Sequence, residues 1–359
     1  MPAPTQTQRA VFAKIDRFVA QEMASQRIPG LAVGIYTNGK ITRVKGYGRS
    51  NIELDAPVTP ATIFQSGSMG KQFTSAAIMM LVEEGKIGLD DSLPKYFPDA
   101  PASWREITIR QLLSHTSGLT DYASDSVTKP GGPISLRADY TEEQLVRIIE
   151  SLPIEFAPGE KWEYCNSNYL LLGAVIRKAS GKFYGDFLEQ RVFKPLGMTS
   201  TRVISEEDII PNRAAGYQLM DGRLRNQEWV SPSLNTTADG ALYFNVLDLA
   251  KWDAALYGER LLKKSSFDQM WTVGKLKSGK PNPSGYGFAW FIDTINGHRV
   301  VQHSGTWQGF RTYIARYLDD GVTVVVLTNL GESDPAKITH GIAGLYRHEL
   351  TPPAKSAGH

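Results

Sequence analysis

The chain has 359 residues, of which 42% are hydrophobic, so it is long enough for one large domain or for two interleaved ones. Its 39 basic and 37 acidic side chains leave a net charge of +2 with no run of like charges, which argues against nucleic acid as the main partner. Its longest apolar runs, such as residues 76–82 and 322–327, are far too short to span a membrane.

The first part of the chain is predicted to fold as one helix followed by a β-hairpin. Residues 9–26 carry apolar side chains at helical spacing, as one buried helix face does. Residues 31–36 and 41–46 are short apolar runs joined through Asn38-Gly39, a pair that favours a tight hairpin turn. The order helix, strand, strand therefore precedes the first chemical motif.

The middle of the chain, to about residue 230, is predicted to be mostly helix and loop. Helices are expected at residues 68–84, 107–115, 141–152, 168–181 and 184–193. Residues 123–140 are polar and rich in Gly, Pro and Ser. A loop of that length is typical of a lid or an active-site wall, with plain disorder as the alternative.

The last part of the chain returns to strands. After helices at 245–257 and 265–271, strands are expected at 286–293, 299–302, 310–317 and 322–329, then a helix at 336–350 and a disordered tail at 351–359. We expect these four strands and the two N-terminal ones to share one antiparallel sheet. The prediction is an α+β fold, in which residues 9–66 and 235–350 form a discontinuous α/β domain. Residues 67–234 would be an inserted, mainly helical domain.

Ser68 and Lys71 form the first candidate motif, Ser-x-x-Lys, at the start of the predicted helix 68–84. Residues three apart on a helix share a face, so the lysine amine can accept the serine proton and activate the hydroxyl as a nucleophile. The same spacing occurs at Ser92–Lys95, which contains a proline, and at Ser126–Lys129, which runs into a Gly/Pro loop. Only the first copy opens a long apolar-faced helix.

Tyr164 and Asn166 form the second candidate motif. A tyrosine can act as a base when neighbouring cations stabilise its phenolate, and the asparagine amide can hold both a substrate carbonyl and the lysine. Tyr-x-Asn also occurs at Tyr36 and Tyr243, but only Tyr164 lies in a loop directly before a predicted helix. There its side chain can reach into a cleft.

His303 and Gly305 form the third candidate motif, His-x-Gly, which occurs once and is expected between two predicted strands. A strand edge at this point can present the backbone N–H of Thr306 beside that of Ser68, as an oxyanion hole requires.

These three motifs, in this order, carry a resemblance to the serine β-lactamase-fold hydrolases: class C β-lactamases, DD-peptidases and family VIII carboxylesterases. Residues 112–119, 156–159 and 305–310 support it, and the resemblance extends over roughly residues 10–350. It implies a β-lactamase/transpeptidase-like fold, with an antiparallel sheet flanked by helices, an inserted helical domain, and the active site in the cleft between the two domains. It also implies Ser68 as nucleophile, with Lys71 and Tyr164 as the base system. Asn166 would position substrate, and Ser68 and Thr306 would supply the oxyanion N–H groups.

The chain departs from class C β-lactamases at the third motif, where His303 occupies the place of a lysine. A histidine is mostly neutral at pH 7, so it attracts a β-lactam carboxylate less than a lysine does. His-x-Gly resembles instead some DD-peptidases, D-amino-acid peptidases and esterases of the group. Trp162 and Trp307 flank the second and third motifs and are candidate pocket walls.

The favoured function is a serine hydrolase that forms an acyl-enzyme at Ser68 and acts on small carboxylic esters. One alternative is a D-amino-acid-specific peptidase or amidase, or a penicillin-binding DD-peptidase, with at most weak β-lactamase activity. A further alternative is an idle binding or scaffold homologue, in which Ser68 only caps a helix and Tyr164 only packs. The expected partner is a small ester or peptide, and the oligomeric state is left open.

Neither a metal nor a cofactor is expected, because the six histidines are scattered without paired ligand spacing. Cys165 is the single cysteine, so no internal disulfide can form, and the compartment stays open. No basic segment followed by an apolar core appears at the start of the chain as given. Two interpretations remain: a periplasmic or secreted protein whose signal peptide has been removed, or a cytoplasmic one.

Overall fold

A computed structural model describes residues 5–353 of the chain. Within that range the strands are β1 (Gly30–Thr37), β2 (Lys40–Asn51), β3 (Ala56–Pro57), β4 (Phe64–Gln65), β5 (Arg202–Val203), β6 (Tyr217–Met220), β7 (Arg223–Asn226), β8 (Leu242–Phe244), β9 (Phe291–Ile295), β10 (His298–Trp307), β11 (Phe310–Tyr317) and β12 (Val322–Thr328). Seven of them form one antiparallel sheet in the order β3-β2-β1-β12-β11-β10-β9. The predicted sheet of two N-terminal and four C-terminal strands is thereby confirmed, with the two-residue β3 added at one edge.

The helices lie before, between and after these strands. They are α1 (Gln6–Gln26), α2 (Lys71–Glu83), α3 (Ile109–Leu113), α4 (Asp125–Thr128), α5 (Glu142–Ser151), α6 (Asn166–Ser180), α7 (Tyr184–Leu188), α8 (Lys194–Leu196), α9 (Val246–Ala255), α10 (Lys264–Met270) and α11 (Pro335–Tyr346). Helices α2 to α8 all lie in the segment between β4 and β5, in agreement with its helical sequence pattern. No helix within residues 5–353 combines the length and hydropathy that a membrane crossing needs.

The large sheet is covered by helices on both faces, as the side chains of β12 show. Alternate side chains of a strand point to opposite faces. Val324 and Val326 belong to a cluster with residues of α1 and α11, whereas Val325 and Leu327 belong to the larger cluster that includes α2 and α9. Burial on both faces is why this strand reads as a continuous apolar run.

The third motif is placed differently from the sequence prediction. It does not lie between two strands but inside β10, which runs unbroken from His298 to Trp307. The predicted strand 286–293 is wrong in its first half, because the strand begins at Phe291 and Tyr286 forms only an isolated bridge. Ala289 has a φ of 65°, a left-handed conformation that no strand accommodates.

Two smaller differences concern the candidate nucleophile and the polar loop. Ser68 lies in a 3₁₀ turn, Gly67–Gly70, and the α-helix proper begins at Lys71. The loop 123–140 contains the short helix α4. Residues 351–353 have no regular structure, and the rest of the predicted tail lies outside the described residues.

Candidate active site

Lys71 is the first residue of α2 and is completely buried. Its Nζ donates to Ser68 Oγ at 3.0 Å, to Asn166 Oδ1 at 2.7 Å and to the backbone carbonyl of Asp239 at 2.5 Å. An ammonium has three N–H donors, so these three acceptors match its full capacity. The predicted Ser/Lys pair is therefore brought together, and the lysine is held by two segments far away in the sequence.

Ser68 is half-buried and sits where the backbone turns sharply into α2. Gly67 has a φ of +51°, and a methyl group built on it would lie 2.3 Å from the Thr306 nitrogen. Only glycine permits so close an approach of β10 to this turn. Ser68 is the second residue of its 3₁₀ turn, where a backbone N–H has no partner within the helix.

The backbone N–H of Thr306 is also left without a partner in the sheet, because of the hairpin that follows it. Gln308 and Gly309 both have positive φ, as a two-residue type I′ turn requires, so Trp307 and Phe310 form the hydrogen-bonded pair that closes the hairpin. Pairs alternate along an antiparallel ladder, so the N–H of Thr306 points away from β11. β9 stops pairing at Gln302, which leaves that edge of β10 open.

Asn166 begins α6 and is oriented from both ends of its amide. Oδ1 accepts from Lys71, and Nδ2 donates to Asp121 Oδ2 at 3.0 Å. One amide hydrogen remains, on a residue that lines the cavity beside Ser68. Burial raises the pKa of the Asp121 carboxyl above its ordinary value.

Tyr164 supplies a hydroxyl that is buried and has no hydrogen-bond partner among the described residues. The Nζ of Lys71 lies 4.9 Å from the centroid of its ring, within the range of a cation–π contact. The ring of His115 packs against it, with centroids 4.3 Å apart. Nδ1 of His115 accepts from the N–H of Cys165, and burial holds the pKa of this imidazole well below its ordinary value.

His303 is 2% exposed and does not line the cavity. Its Nδ1 lies 2.6 Å from the carbonyl oxygen of Ser304, which can only accept, so this nitrogen carries the proton. Nε2 then accepts from the hydroxyl of Tyr286 at 3.0 Å. Burial lowers the pKa of His303 to about 3, so the imidazole is neutral and both of its nitrogens are engaged.

The cavity beside Ser68 has a volume of about 160 Å³ and joins elements that are distant in the chain. Ser68, Asn166, Thr306 and Trp307 line it, and the indole N–H of Trp307 donates to Asn235 at 2.6 Å. Trp162, the other predicted wall, does not line it and packs instead 5.9 Å from the ring of Tyr286.

Gly305 has a packing role in this arrangement. A methyl group there would lie 2.0 Å from the carbonyl oxygen of Ser66, so glycine allows β10 to lie against the 3₁₀ turn. The third motif therefore contributes backbone geometry at Gly305 and Thr306, and an uncharged support at His303.

The rival copies of the motifs have other partners. Lys95 is paired with Asp91 at 2.7 Å, and Ser126 is an exposed residue of α4. The hydroxyl of Tyr36 donates to the carbonyl of Val246, and Asn245 caps α9.

Sequence reasoning missed four residues that belong to the site: Asp121, Tyr122, Asp239 and Tyr286. The first two lie two and three residues after the stretch 112–119, which was a usable signal. Asp239 and Tyr286 have no motif of their own and reach the site only through the fold. Among the described residues, no cluster of His, Cys, Asp and Glu side chains is arranged to hold a metal ion.

The amino-acid sequence is similar to those of known proteins. The family model described as Beta-lactamase matches residues 15–346. Penicillin-binding protein 4* of Bacillus subtilis (strain 168) is 31% identical over 307 residues, which cover 82% of this chain and 66% of that protein. The chain thus spans slightly less than two thirds of the length of this relative.

Solved structures show the same fold. The octameric penicillin-binding protein homologue from Pyrococcus abyssi superposes with a TM-score of 0.82 and 30% identity, over 93% of this chain and 77% of the other. A D-stereospecific amidohydrolase from Streptomyces sp. gives a TM-score of 0.77 and 27% identity, over 94% and 98%. The predicted β-lactamase/transpeptidase-like fold is confirmed.

Proposed function

Since this chain belongs to the beta-lactamase family, we propose that it is a serine hydrolase that forms an acyl-enzyme at Ser68. The observation that carries the proposal is the 3.0 Å contact between Ser68 Oγ and the buried Nζ of Lys71. A fold alone does not define a reaction, so the proposal rests on the groups gathered at this point.

In the acylation step, Ser68 Oγ attacks the substrate carbonyl carbon and its proton passes to the base system of Lys71 and Tyr164, one member of which gives up its own proton before the attack. The carbonyl oxygen becomes an oxyanion, which the N–H groups of Ser68 and Thr306 stabilise. The intermediate collapses, the bond to the leaving alcohol breaks, and that alcohol takes up the proton. Water then attacks the acyl-enzyme in the same manner, which releases the acid and restores Ser68.

Small carboxylic esters are the proposed substrate class. A cavity of about 160 Å³ suits a small acyl group rather than a large one. The neutral His303 offers no positive charge to a substrate carboxylate, which disfavours β-lactams as main substrates. An alkoxide leaves more readily than an amine, so an ester needs less proton donation from Tyr164.

An amidase or peptidase acting on D-amino-acid compounds is the second candidate. The 27% identity to a D-stereospecific amidohydrolase and the 31% identity to a penicillin-binding protein favour it. Amide hydrolysis would require Tyr164 to protonate the leaving amine, and its buried, unpartnered hydroxyl is available for that. An idle scaffold is disfavoured, because Lys71 would then bury an ammonium beside Ser68 for no chemical gain.

The test compares hydrolysis of p-nitrophenyl butyrate by the wild type, Ser68→Ala and Ser126→Ala. Ser126 belongs to a second Ser-x-x-Lys copy on the surface, so it is a matched control. We expect turnover and an acyl adduct, detected by mass spectrometry, in the wild type and in Ser126→Ala but not in Ser68→Ala. Equal turnover in all three proteins would refute Ser68 as the nucleophile.

A further inference from the structure

The cavity beside Ser68 has a negative wall. Among the described residues that line it, Asp239 alone has a charged side chain. Asp239 is half-buried, and its Oδ2 accepts from the hydroxyl of Tyr122 at 3.0 Å. The other carboxylate oxygen has no hydrogen bond to any described residue and is not a buried atom, and Asp239 lines the cavity. A carboxylate in this state keeps acceptor capacity for a ligand.

The nearby ammonium of Lys71 does not use up this capacity. Its three donors go to Ser68, to Asn166 and to the backbone carbonyl of Asp239, so none is left for the Asp239 carboxylate. The same backbone bond fixes Asp239 close to the nucleophile, because Nζ contacts both that carbonyl and Ser68 Oγ. The backbone of Asp239 is therefore held close to the reacting serine, and one oxygen of its carboxylate remains accessible.

Two aromatic side chains complete a wall suited to a cation. Tyr122 and Trp307 both line the cavity, and the indole of Trp307 is fixed by its bond to Asn235. Aromatic faces attract ammonium groups, most strongly where water is excluded. Among the described residues that line the cavity there is no lysine, arginine or histidine, and the nearby His303 is buried and neutral. An acyl group with a carboxylate would be repelled here.

We propose that the cavity binds acyl groups that carry a free ammonium, and that Asp239 is the side chain that holds this ammonium. The substrate class would be esters or amides of small amino acids with an unblocked amino group. This inference rests on the acyl-enzyme proposed at Ser68 and names the acyl part of its substrate. It separates such substrates from neutral esters of the same size.

The test uses three esters that differ at one position: alanine methyl ester, N-acetylalanine methyl ester and methyl propionate, with both enantiomers of the two alanine compounds. For the wild type, we expect kcat/KM on the better enantiomer of the free amine to exceed that on the other two esters by roughly tenfold to a hundredfold, as a charge-assisted hydrogen bond implies. Asp239→Asn keeps the backbone carbonyl and the acceptor for Tyr122, and should lower this ratio by at least roughly tenfold. Asp125→Asn, an exposed acid on α4, should leave the ratio unchanged.

Each other outcome counts against the proposal. A wild-type ratio near one would overturn it even if Asp239→Asn failed to fold, since that comparison needs no variant. A ratio unchanged in folded Asp239→Asn would remove Asp239 as the anchor. Turnover of p-nitrophenyl butyrate that depends on Ser68, without any preference for the ammonium, would refute this inference alone. Absence of any Ser68 adduct would refute both proposals.

Discussion

The hydroxyl of Tyr286 donates a hydrogen bond to Nε2 of His303 over 3.0 Å. The opposite nitrogen of the ring donates to the carbonyl of Ser304, so His303 is neutral and fully bonded. The side chain of His303, which was expected to contact the substrate, is thus buried and supports β10 through these hydrogen bonds. Protonating it would break the bond from Tyr286 and place an unpaired charge in the interior.

The stability of the protein should consequently fall in mild acid. The pKa of His303 is about 3 in the folded state, whereas an unfolded histidine titrates near 6.5. Between these values the unfolded state binds the proton and the folded state does not, so stability rises with pH. We expect this residue to cost about 2 kcal/mol between pH 7 and pH 5. Urea unfolding at both pH values should show a smaller difference for His303→Gln, and an equal difference would contradict the assignment.

Tyr164→Phe should separate activity from stability. Its hydroxyl is buried and has no partner within residues 5–353, so removing it should leave the free energy of unfolding unchanged or raise it by up to about 1 kcal/mol. Turnover should drop by roughly a hundredfold or more, most severely on amides. Tyr169→Phe is the matched control, since that hydroxyl donates to the carbonyl of Leu113 at 2.9 Å. Thermal melts and kcat/KM should show the reverse order for the control, with stability lost more than turnover; the same order in both variants would argue against a catalytic Tyr164.

Lys71→Ala should lower both the stability and the activity of the protein. It leaves Asn166 Oδ1 and the carbonyl of Asp239 without their donor, which should cost about 1–3 kcal/mol of unfolding free energy. We expect kcat/KM to fall by roughly a thousandfold. Lys95→Ala removes a lysine from the second Ser-x-x-Lys copy, where the side chain is exposed and paired with Asp91. Calorimetry and steady-state kinetics should find that control close to wild type, and comparable losses in both would argue against a special role for Lys71.

Gly305→Ala should disturb the oxyanion site without adding or removing a charge. The new methyl group would meet the carbonyl of Ser66 at 2.0 Å and the backbone nitrogen of Met69 at 2.9 Å, so β10 must move away from the turn that holds Ser68. Loss of one oxyanion donor lowers kcat by about 100- to 1,000-fold. Gly258→Ala has no atom within 4 Å of the added methyl and serves as the control. If kcat were unchanged in a folded Gly305→Ala protein, Thr306 would have no such role.

Much of the framework was predictable from local sequence. The hairpin at Asn38-Gly39 and the apolar run of β12 are local signals, and both strands lie where the pattern indicated. Among three Ser-x-x-Lys copies, helical context alone selected the pair that the structure brings together. The extent of β10 was missed because its motif interrupts the apolar alternation with a glycine and polar residues. Strand propensity also misjudged residues 286–290, where Ala289 turns the chain.

The electrostatics of the site were not predictable in the same way. Whether His303 carries a charge depends on Tyr286 and on burial, and neither follows from the spacing of His303 and Gly305. Asp239 lies 168 residues from Lys71, and its carbonyl reaches Nζ only after both parts of the chain have packed. Such contacts depend on tertiary structure and leave no periodic pattern.

The ammonium of Lys71 joins three segments of the chain through its hydrogen bonds. Two of its acceptors lie 95 and 168 residues away, so these hydrogen bonds form only after the distant segments have packed together. Contacts of such long range form slowly and late in folding. Recovery of turnover during refolding should therefore lag behind recovery of helical signal, and a chain cut before Asp239 would have no competent site. In a refolding experiment, recovery of turnover therefore reports the formation of these long-range contacts.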